Sequence, residues 1–180
     1  MANEIEKKYR LSEQQKADVL EALEEIGADY AGEDFEENIL LTNKFLVEKR
    51  AVLRLRRIGE KTILTFKQRI QNEFAVKQNT EYETEVADFG EIANIFENLG
   101  FSPVLVYEKR RRTWKFRQTE IVLDVLPFGD FMEIEGSITA IAEAEMFLGA
   151  EDFEVEHQTY PNLTLQFGKR NGELTEARFE

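Results

Sequence analysis

The sequence predicts an α+β fold in which a β-sheet curls into a closed tunnel with a charged interior, with helices packed on its outside. Strand-like segments recur in which alternate residues are charged on one face and apolar on the other. The charges along a face keep a single sign over two or three positions, and three helical stripes supply apolar partners for the opposite faces. A charged row can be a solvated surface. Acidic triplets repel as neighbours, however, and surface strands ordinarily mix charge with Thr, Ser and Gln. Helices on the apolar faces leave the charged faces together on the other side of the sheet, and closing the sheet encloses them.

The elements follow in chain order. "NEIEKKYRL" is a strand that puts Glu4, Glu6 and Lys8 on one face and Ile5, Lys7 and Tyr9 on the other. Ser12, with Gln15 three residues on, forms a capping box, and Ala17, Leu20, Leu23 and Ile26 make the stripe of a helix that Gly27 stops. Asp88 caps a second helix carrying Phe89, Ile92, Ile95, Phe96 and Leu99, ended by Gly100. A third spans 137–148 before Gly149. Strands are predicted over 35–42, 51–58, 61–69, 80–87, 104–118, 120–126 and 130–136, with Gly59-Glu60 as a tight hairpin turn. The 104–118 segment exceeds an ordinary strand, so a bend or turn is expected inside it. The charged residues after Phe167 read as a flexible tail of about a dozen residues.

The charged faces define a site. Arg54 and Arg56 lie opposite Leu53 and Leu55; Lys67 shares a face with Thr65; Glu81, Glu83 and Glu85 line one side of "TEYETEV". Lys109 aligns with Arg111 and Glu133 with Glu135, while Asp124 joins them from "IVLDVL". Alternation sends Arg110 and Arg112 outward, and Trp114 reads as packing. Acidic side chains slightly outnumber basic ones, so one or two divalent cations on oxygen ligands would reverse the balance and attract a polyanion. Guanidinium forks match paired phosphate oxygens and ammonium groups act as point charges, which suits a chain of phosphates.

Composition narrows the rest. The 180 residues, 42% hydrophobic, are enough for a single domain over 1–180. With no cysteine and one histidine, His157, thiolate and multi-histidine metal sites are excluded. His157 reads as solvated. No apolar run approaches the roughly twenty residues that span a bilayer and no signal peptide is legible, so no membrane partner is expected and the cytoplasm is the default compartment. A net charge of −13 argues against nucleic acid as partner.

These residues resemble the CYTH superfamily, the triphosphate tunnel metalloenzymes that include class IV adenylate cyclases and thiamine triphosphatases. The resemblance is carried by Glu4-Ile5-Glu6-Lys7-Lys8, "LRLRR", "LTFK", "EYETEV", "YEKRRR", "VLDVLPFGDFMEIEG" and the late Tyr160, in family order over nearly the whole chain. It implies a closed eight-stranded antiparallel tunnel. It further implies a phosphate clamp of Lys8, Arg54, Arg56, Lys67, Lys109 and Arg111. Asp124, Glu133 and Glu135 are implied as the principal Mg²⁺ or Mn²⁺ site, and Glu4 and Glu6 as ligands of a second ion that brings in a nucleophilic water, with Lys8 beside them in the catalytic set. Glu81, Glu83 and Glu85 either touch metal or orient the basic residues, and Tyr160 either touches substrate or anchors the C-terminal segment. The implied substrates are tripolyphosphate, thiamine triphosphate or ATP. Hydrolysis of a terminal phosphate ranks first, cyclisation of ATP to cyclic AMP with loss of pyrophosphate second, and non-catalytic polyphosphate binding third. Relatives are often dimers, so a homodimer is a partner to test.

Overall fold

The computed structural model describes residues 5–70 and 78–180. In chain order the elements are β1 (Ile5–Leu11), α1 (Glu13–Glu25), β2 (Asp29–Thr42), α2 (Lys44–Lys49), β3 (Ala51–Ile58), β4 (Lys61–Ile70), β5 (Gln78–Val86), α3 (Phe89–Asn98), β6 (Ser102–Phe116), β7 (Thr119–Leu126), β8 (Gly129–Gly136), α4 (Ile138–Leu148), α5 (Tyr160–Phe167), β9 (Lys169–Asn171) and β10 (Leu174–Ala177). The strands form one sheet in the order β1-β8-β7-β6-β2-β3-β4-β5, with β10 joined to β6 and to β9. The fold is α+β and antiparallel, as expected, apart from the parallel β10–β6 pairing. Hydrogen bonds do not close the sheet: β1 and β5 are the two ends of the strand order among the described residues.

The chain divides into two compact units. The first comprises Met1–Phe35, Lys109–Thr159 and Phe179; the second comprises Glu36–Glu108, Tyr160–Arg178 and Glu180.

In the first unit, β1, β8, β7 and the second half of β6 turn Tyr9, Met132, Ile134, Ile121, Leu123 and Trp114 to one side. There they pack with Val19 and Leu23 of α1 and Ile141, Ala144 and Leu148 of α4 in a single buried cluster. The Ser12 capping box forms as read, the hydroxyl accepting from Gln15 N and the Gln15 amide oxygen accepting from Ser12 N. Ser137 caps α4, and Gly149, at φ 62°, ends it in the left-handed conformation that glycine adopts without steric cost. One polar anchor crosses this apolar layer: the Tyr9 hydroxyl donates to Glu145 at 2.6 Å, and Lys7 pairs with the same carboxylate. Burial and that carboxylate raise the Tyr9 pKa. Arg112 stacks over the Trp114 ring at 5.6 Å, on the face opposite Arg111.

In the second unit, Leu53, Leu55, Leu41 and Leu46 form a buried cluster against which Leu64, Phe66, Phe89, Ile92 and Phe96 pack. Helix α3 therefore covers the apolar side of β3 and β4, and Asp88 caps it through Glu91 N. Gly59, at φ 57°, makes the β3–β4 turn, with Ile58 paired to Lys61.

Several expectations need correcting. Strand β2 begins at Asp29, not at Phe35, and α2, capped by the Asn43 side chain, was not legible as a helix. The turn expected inside 104–118 falls at its end, at Arg117-Gln118 between β6 and β7, while the 15 residues of β6 itself stay extended as its partners change along its length, β10 at Leu105–Tyr107 and β7 at Arg110–Phe116. The residues after Phe167 are not a bare tail: β9 and β10 form a hairpin whose second strand adds to β6. Arg178 fixes that end to Glu37 at 2.6 Å, Glu108 at 3.0 Å and Glu176 at 3.0 Å, and those hydrogen bonds raise its pKa against the desolvation that would lower it.

Candidate functional site

In the first unit the face opposite the apolar layer is ionic, and the strand register sets its rows. Lys8 lies across from Glu133, Glu6 from Glu135, Glu135 from Glu120, and Asp124 from Arg111. Residues directly opposite in an antiparallel pair share a face, so these side chains rise on the same side. Their burial is unusual for charge: Asp124 is 0%, Lys109 3% and Glu133 7% exposed. Pairing makes it tolerable. Arg111 donates to Asp124 through Nε at 2.7 Å and Nη2 at 2.5 Å, and to Glu133 through Nη2 at 2.6 Å. Lys109 donates to Asp124 at 3.4 Å. Lys8 lies 3.2 Å from Glu133 and 3.9 Å from Glu6, and its ammonium donates to the Gln158 carbonyl at 3.3 Å.

Glu6 is a group whose protonation this network disturbs. Its side chain is half open to solvent, yet its carboxyl sits against Glu133. Desolvation, then the Glu133 charge and hydrogen bond, push its pKa up to about 7, with Lys8 and Arg111 opposing. Glu4 lies outside the described residues.

In the second unit the ionic face of β2, β3, β4 and β5 is organised mainly by neutral groups. Arg56 Nε donates to the Asn38 amide oxygen at 3.2 Å and lies 3.6 Å from Glu36; Asn38 in turn donates to Glu36 at 3.3 Å. Asn38 is 0% and Glu36 3% exposed. Arg54 donates to the Thr65 hydroxyl at 3.4 Å, and Thr65 donates to Glu83 at 3.0 Å. Arg54 also hydrogen-bonds the buried Tyr107 hydroxyl. Burial first, then the neighbouring Arg56 charge, lower the Arg54 pKa. The same burial raises that of Tyr107. Lys67 pairs with Glu81 at 2.9 Å at an open part of the face. Glu81, Glu83 and Glu85 are exposed.

Each unit thus gathers its share of the residues singled out in the sequence: Glu6, Lys8, Lys109, Arg111, Asp124, Glu133 and Glu135 in the first, Arg54, Arg56, Lys67, Glu81, Glu83 and Glu85 in the second. Tyr160, at the start of α5, is buried with its ring 6.3 Å from that of Tyr107. His157 is exposed. Sequence reading missed Glu36, Asn38, Tyr107 and Glu120 as members of these faces. The signal for Tyr107 was present, since Tyr107, Lys109 and Arg111 alternate along one strand.

The donor set suits a hard divalent cation, because carboxylate oxygens are its preferred ligands. Among the described residues no three acidic or histidine side chains are gathered at one point as a metal cage. Arg111 accounts for this physically: it bridges Asp124 and Glu133 and occupies the space between their charges. Mg²⁺ needs only one or two protein carboxylates when substrate phosphates complete its shell, so the oxygen chemistry fits.

The CYTH domain profile matches residues 2–160, and the chain belongs to that family. A candidate adenylate cyclase of Methanocaldococcus jannaschii is 28% identical over 148 residues, covering 81% of this chain and 83% of that protein. Among solved structures, the PH1012 protein of Pyrococcus horikoshii superposes with a TM-score of 0.72 at 26% identity, over 89% of this chain and 98% of its own. A candidate adenylyl cyclase of Hippeastrum, described as having a dominant triphosphatase activity, shares the fold with a TM-score of 0.66 at 17% identity, over 94% of this chain and 97% of its own. No helix among the described residues is long and apolar enough to cross a membrane.

Proposed function

We propose that the chain is a divalent-cation-dependent triphosphatase that removes the terminal phosphate of inorganic or organic triphosphates. One observation carries this reading. Fully or nearly buried charges, Asp124, Lys109 and Glu133, stand on strands whose other faces already hold the apolar core. Placing ions there costs several kcal/mol each before pairing, and a hydrophobic replacement would be as stable or more so. Binding a polyanion explains why the chain keeps them.

In this reading Arg54, Arg56, Lys67, Lys109, Arg111 and Lys8 take the phosphate oxygens. Glu133 and Glu135, with Asp124, are the oxygen donors for the cation, and Glu6, with Glu4, faces the attacking water. When bound, the cation supplies positive charge to the phosphate oxygens and lowers the pKa of a coordinated water. The residues of the chain do the rest. Arg111, held in a fixed fork by Asp124 and Glu133, meets charge gathering on the transferred group without reorganising. Glu6, poised near neutrality, accepts the proton that the attacking water gives up.

Cyclisation of ATP is the second reading, favoured by the description of the Methanocaldococcus relative. One assay separates them. Purified protein is incubated with Mg²⁺ or Mn²⁺ and tripolyphosphate, thiamine triphosphate or ATP. Orthophosphate supports hydrolysis; cyclic AMP with pyrophosphate supports cyclisation; tight binding without turnover overturns both in favour of a polyphosphate-binding module.

A further inference from the structure

In the first unit, the edge of β1 that does not pair with β8 is taken by the chain after α4. Arg10 N donates to the Glu154 carbonyl at 3.1 Å and Glu156 N to the Lys8 carbonyl at 2.8 Å, on either side of an antiparallel bridge between Tyr9 and Val155. Val155 and Phe153 pack on the buried apolar cluster of this unit. Tyr9 and Val155 therefore share the apolar face, and Glu156, across from Lys8, rises on the ionic one. We propose that Glu156 is a positioning residue for the phosphate-binding Lys8, acting through the Gln158 carbonyl. The inference rests on the reading above that Lys8 takes phosphate oxygens, and it adds to that site a segment outside the charged strand rows.

The contacts run in series. The Glu156 carboxylate accepts from Gln158 N at 2.8 Å, and the Gln158 carbonyl accepts from the Lys8 ammonium at 3.3 Å. Covering a strand edge requires only the two backbone hydrogen bonds. The carboxylate link is additional, and it sets where the Gln158 carbonyl points.

Its effect on Lys8 follows from charge. A lysine ammonium is a point charge on a flexible four-carbon stem, with three protons to direct. Glu133 at 3.2 Å and Glu6 at 3.9 Å draw it toward the acidic rows. The carbonyl, a neutral acceptor from another segment, fixes the ammonium without cancelling its charge. The Lys8 side chain is only 10% exposed, so water replaces a lost partner poorly.

The test uses the full chain with Mg²⁺ and tripolyphosphate. Glu156→Ala removes the acceptor, and the expected result is a KM raised about fivefold with kcat within about twofold, the signature of a contact made equally before and during transfer. Glu156→Gln keeps an oxygen that can accept from Gln158 N, so its KM should stay within about twofold of the unmodified protein. If it matches the alanine variant, Glu156 acts by its charge and the positioning role is overturned. Glu154→Ala takes the same charge from an exposed residue of the same segment and should leave KM unchanged; a rise equal to that of Glu156→Ala also overturns the proposal. In Lys8→Ala, adding Glu156→Ala should raise KM no further, and additive effects would break the link between them. A readout independent of turnover is the Lys8 ammonium resonance in nitrogen-edited NMR of the substrate-free protein, expected to shift in Glu156→Ala and to stay in place in Glu156→Gln. A resonance indifferent to Glu156→Ala overturns the proposal even where Lys8→Ala raises KM. The opposite pair of results, a responsive resonance with Lys8→Ala kinetically silent, defeats the phosphate role of Lys8 instead.

Discussion

Arg111 in the first unit and Arg54 in the second are both partly buried guanidinium groups on an ionic strand face, but they are held in opposite ways. Arg111 is gripped by two carboxylates, Asp124 and Glu133. Arg54 is held by the hydroxyls of Thr65 and Tyr107 and lies near a second cation, Arg56. A cation paired with carboxylates is rigidly placed and shares its field with them; one fixed by neutral groups stays electropositive and strained by its own charge. The lowered pKa of Arg54 expresses that strain. Under the proposed function an incoming phosphate would relieve it, so the second unit is the place where anion binding should be strongest, and the first is where rigidity is bought by ion pairing.

Replacing each arginine is the sharpest way to break this comparison. Arg111→Ala takes from Asp124, 0% exposed, the two guanidinium hydrogen bonds at 2.7 and 2.5 Å, so the expected loss of stability is about 3–5 kcal/mol in urea unfolding. Arg54→Ala takes a donor away from the Thr65 and Tyr107 hydroxyls, and the expected loss is about 1 kcal/mol. If both cost the same, the distinction between carboxylate-held and hydroxyl-held arginine is wrong. Activity should behave differently from stability: Arg54→Ala is expected to lower kcat/KM by about a hundredfold while the protein remains folded.

This contrast was only half legible in the sequence. Alternation exposed the charged rows because a strand has period two, and it placed Arg54, Arg56, Lys109, Arg111 and Glu133 on ionic faces. It could not show what holds each of them, because cross-strand partners depend on register. Asn38 meets Arg56 only through the β2–β3 pairing, and Thr65 meets Arg54 only through β3–β4. Tyr107 follows the apolar run Val104, Leu105 and Val106, where an aromatic reads as core. Helix α5 and the β9–β10 hairpin escaped for another reason: their short, charged segments gain order from Gly168 and Arg178, which are tertiary devices and leave no periodic trace.

The next largest effect is a pH dependence confined to the first unit. Glu6 has a folded pKa of about 7 against an ordinary 4.5, so the folded state binds this proton more tightly than the unfolded chain. Stability from this group is therefore greatest at low pH and falls as pH rises from about 4.5 to about 7, the reverse of a salt-bridged carboxylate. Glu6→Gln should flatten the urea midpoint across that window and raise it above pH 7, while kcat loses its rise near neutrality. A midpoint profile unchanged by the substitution would place Glu6 away from Glu133.

The smallest effects are expected on β5, and they separate two kinds of acidic residue there. Glu81 pairs with Lys67 where both side chains are more than 40% exposed, so Glu81→Gln should change stability by less than about 0.5 kcal/mol and should be masked by salt. Glu83 accepts from Thr65, which in turn accepts from Arg54, so Glu83→Gln acts on the clamp through the hydroxyl between them. The amide can reverse the hydrogen-bond direction, turning the Thr65 proton toward Arg54 and displacing the guanidinium. The expected signature is a KM raised about threefold with kcat little changed, insensitive to salt. Thr65→Val should reproduce it, since it removes the same link from the middle, and Glu81→Gln should not. If Glu83→Gln and Glu81→Gln prove indistinguishable, the relay from Glu83 to Arg54 carries no function and the whole acidic strand reduces to solvated charge.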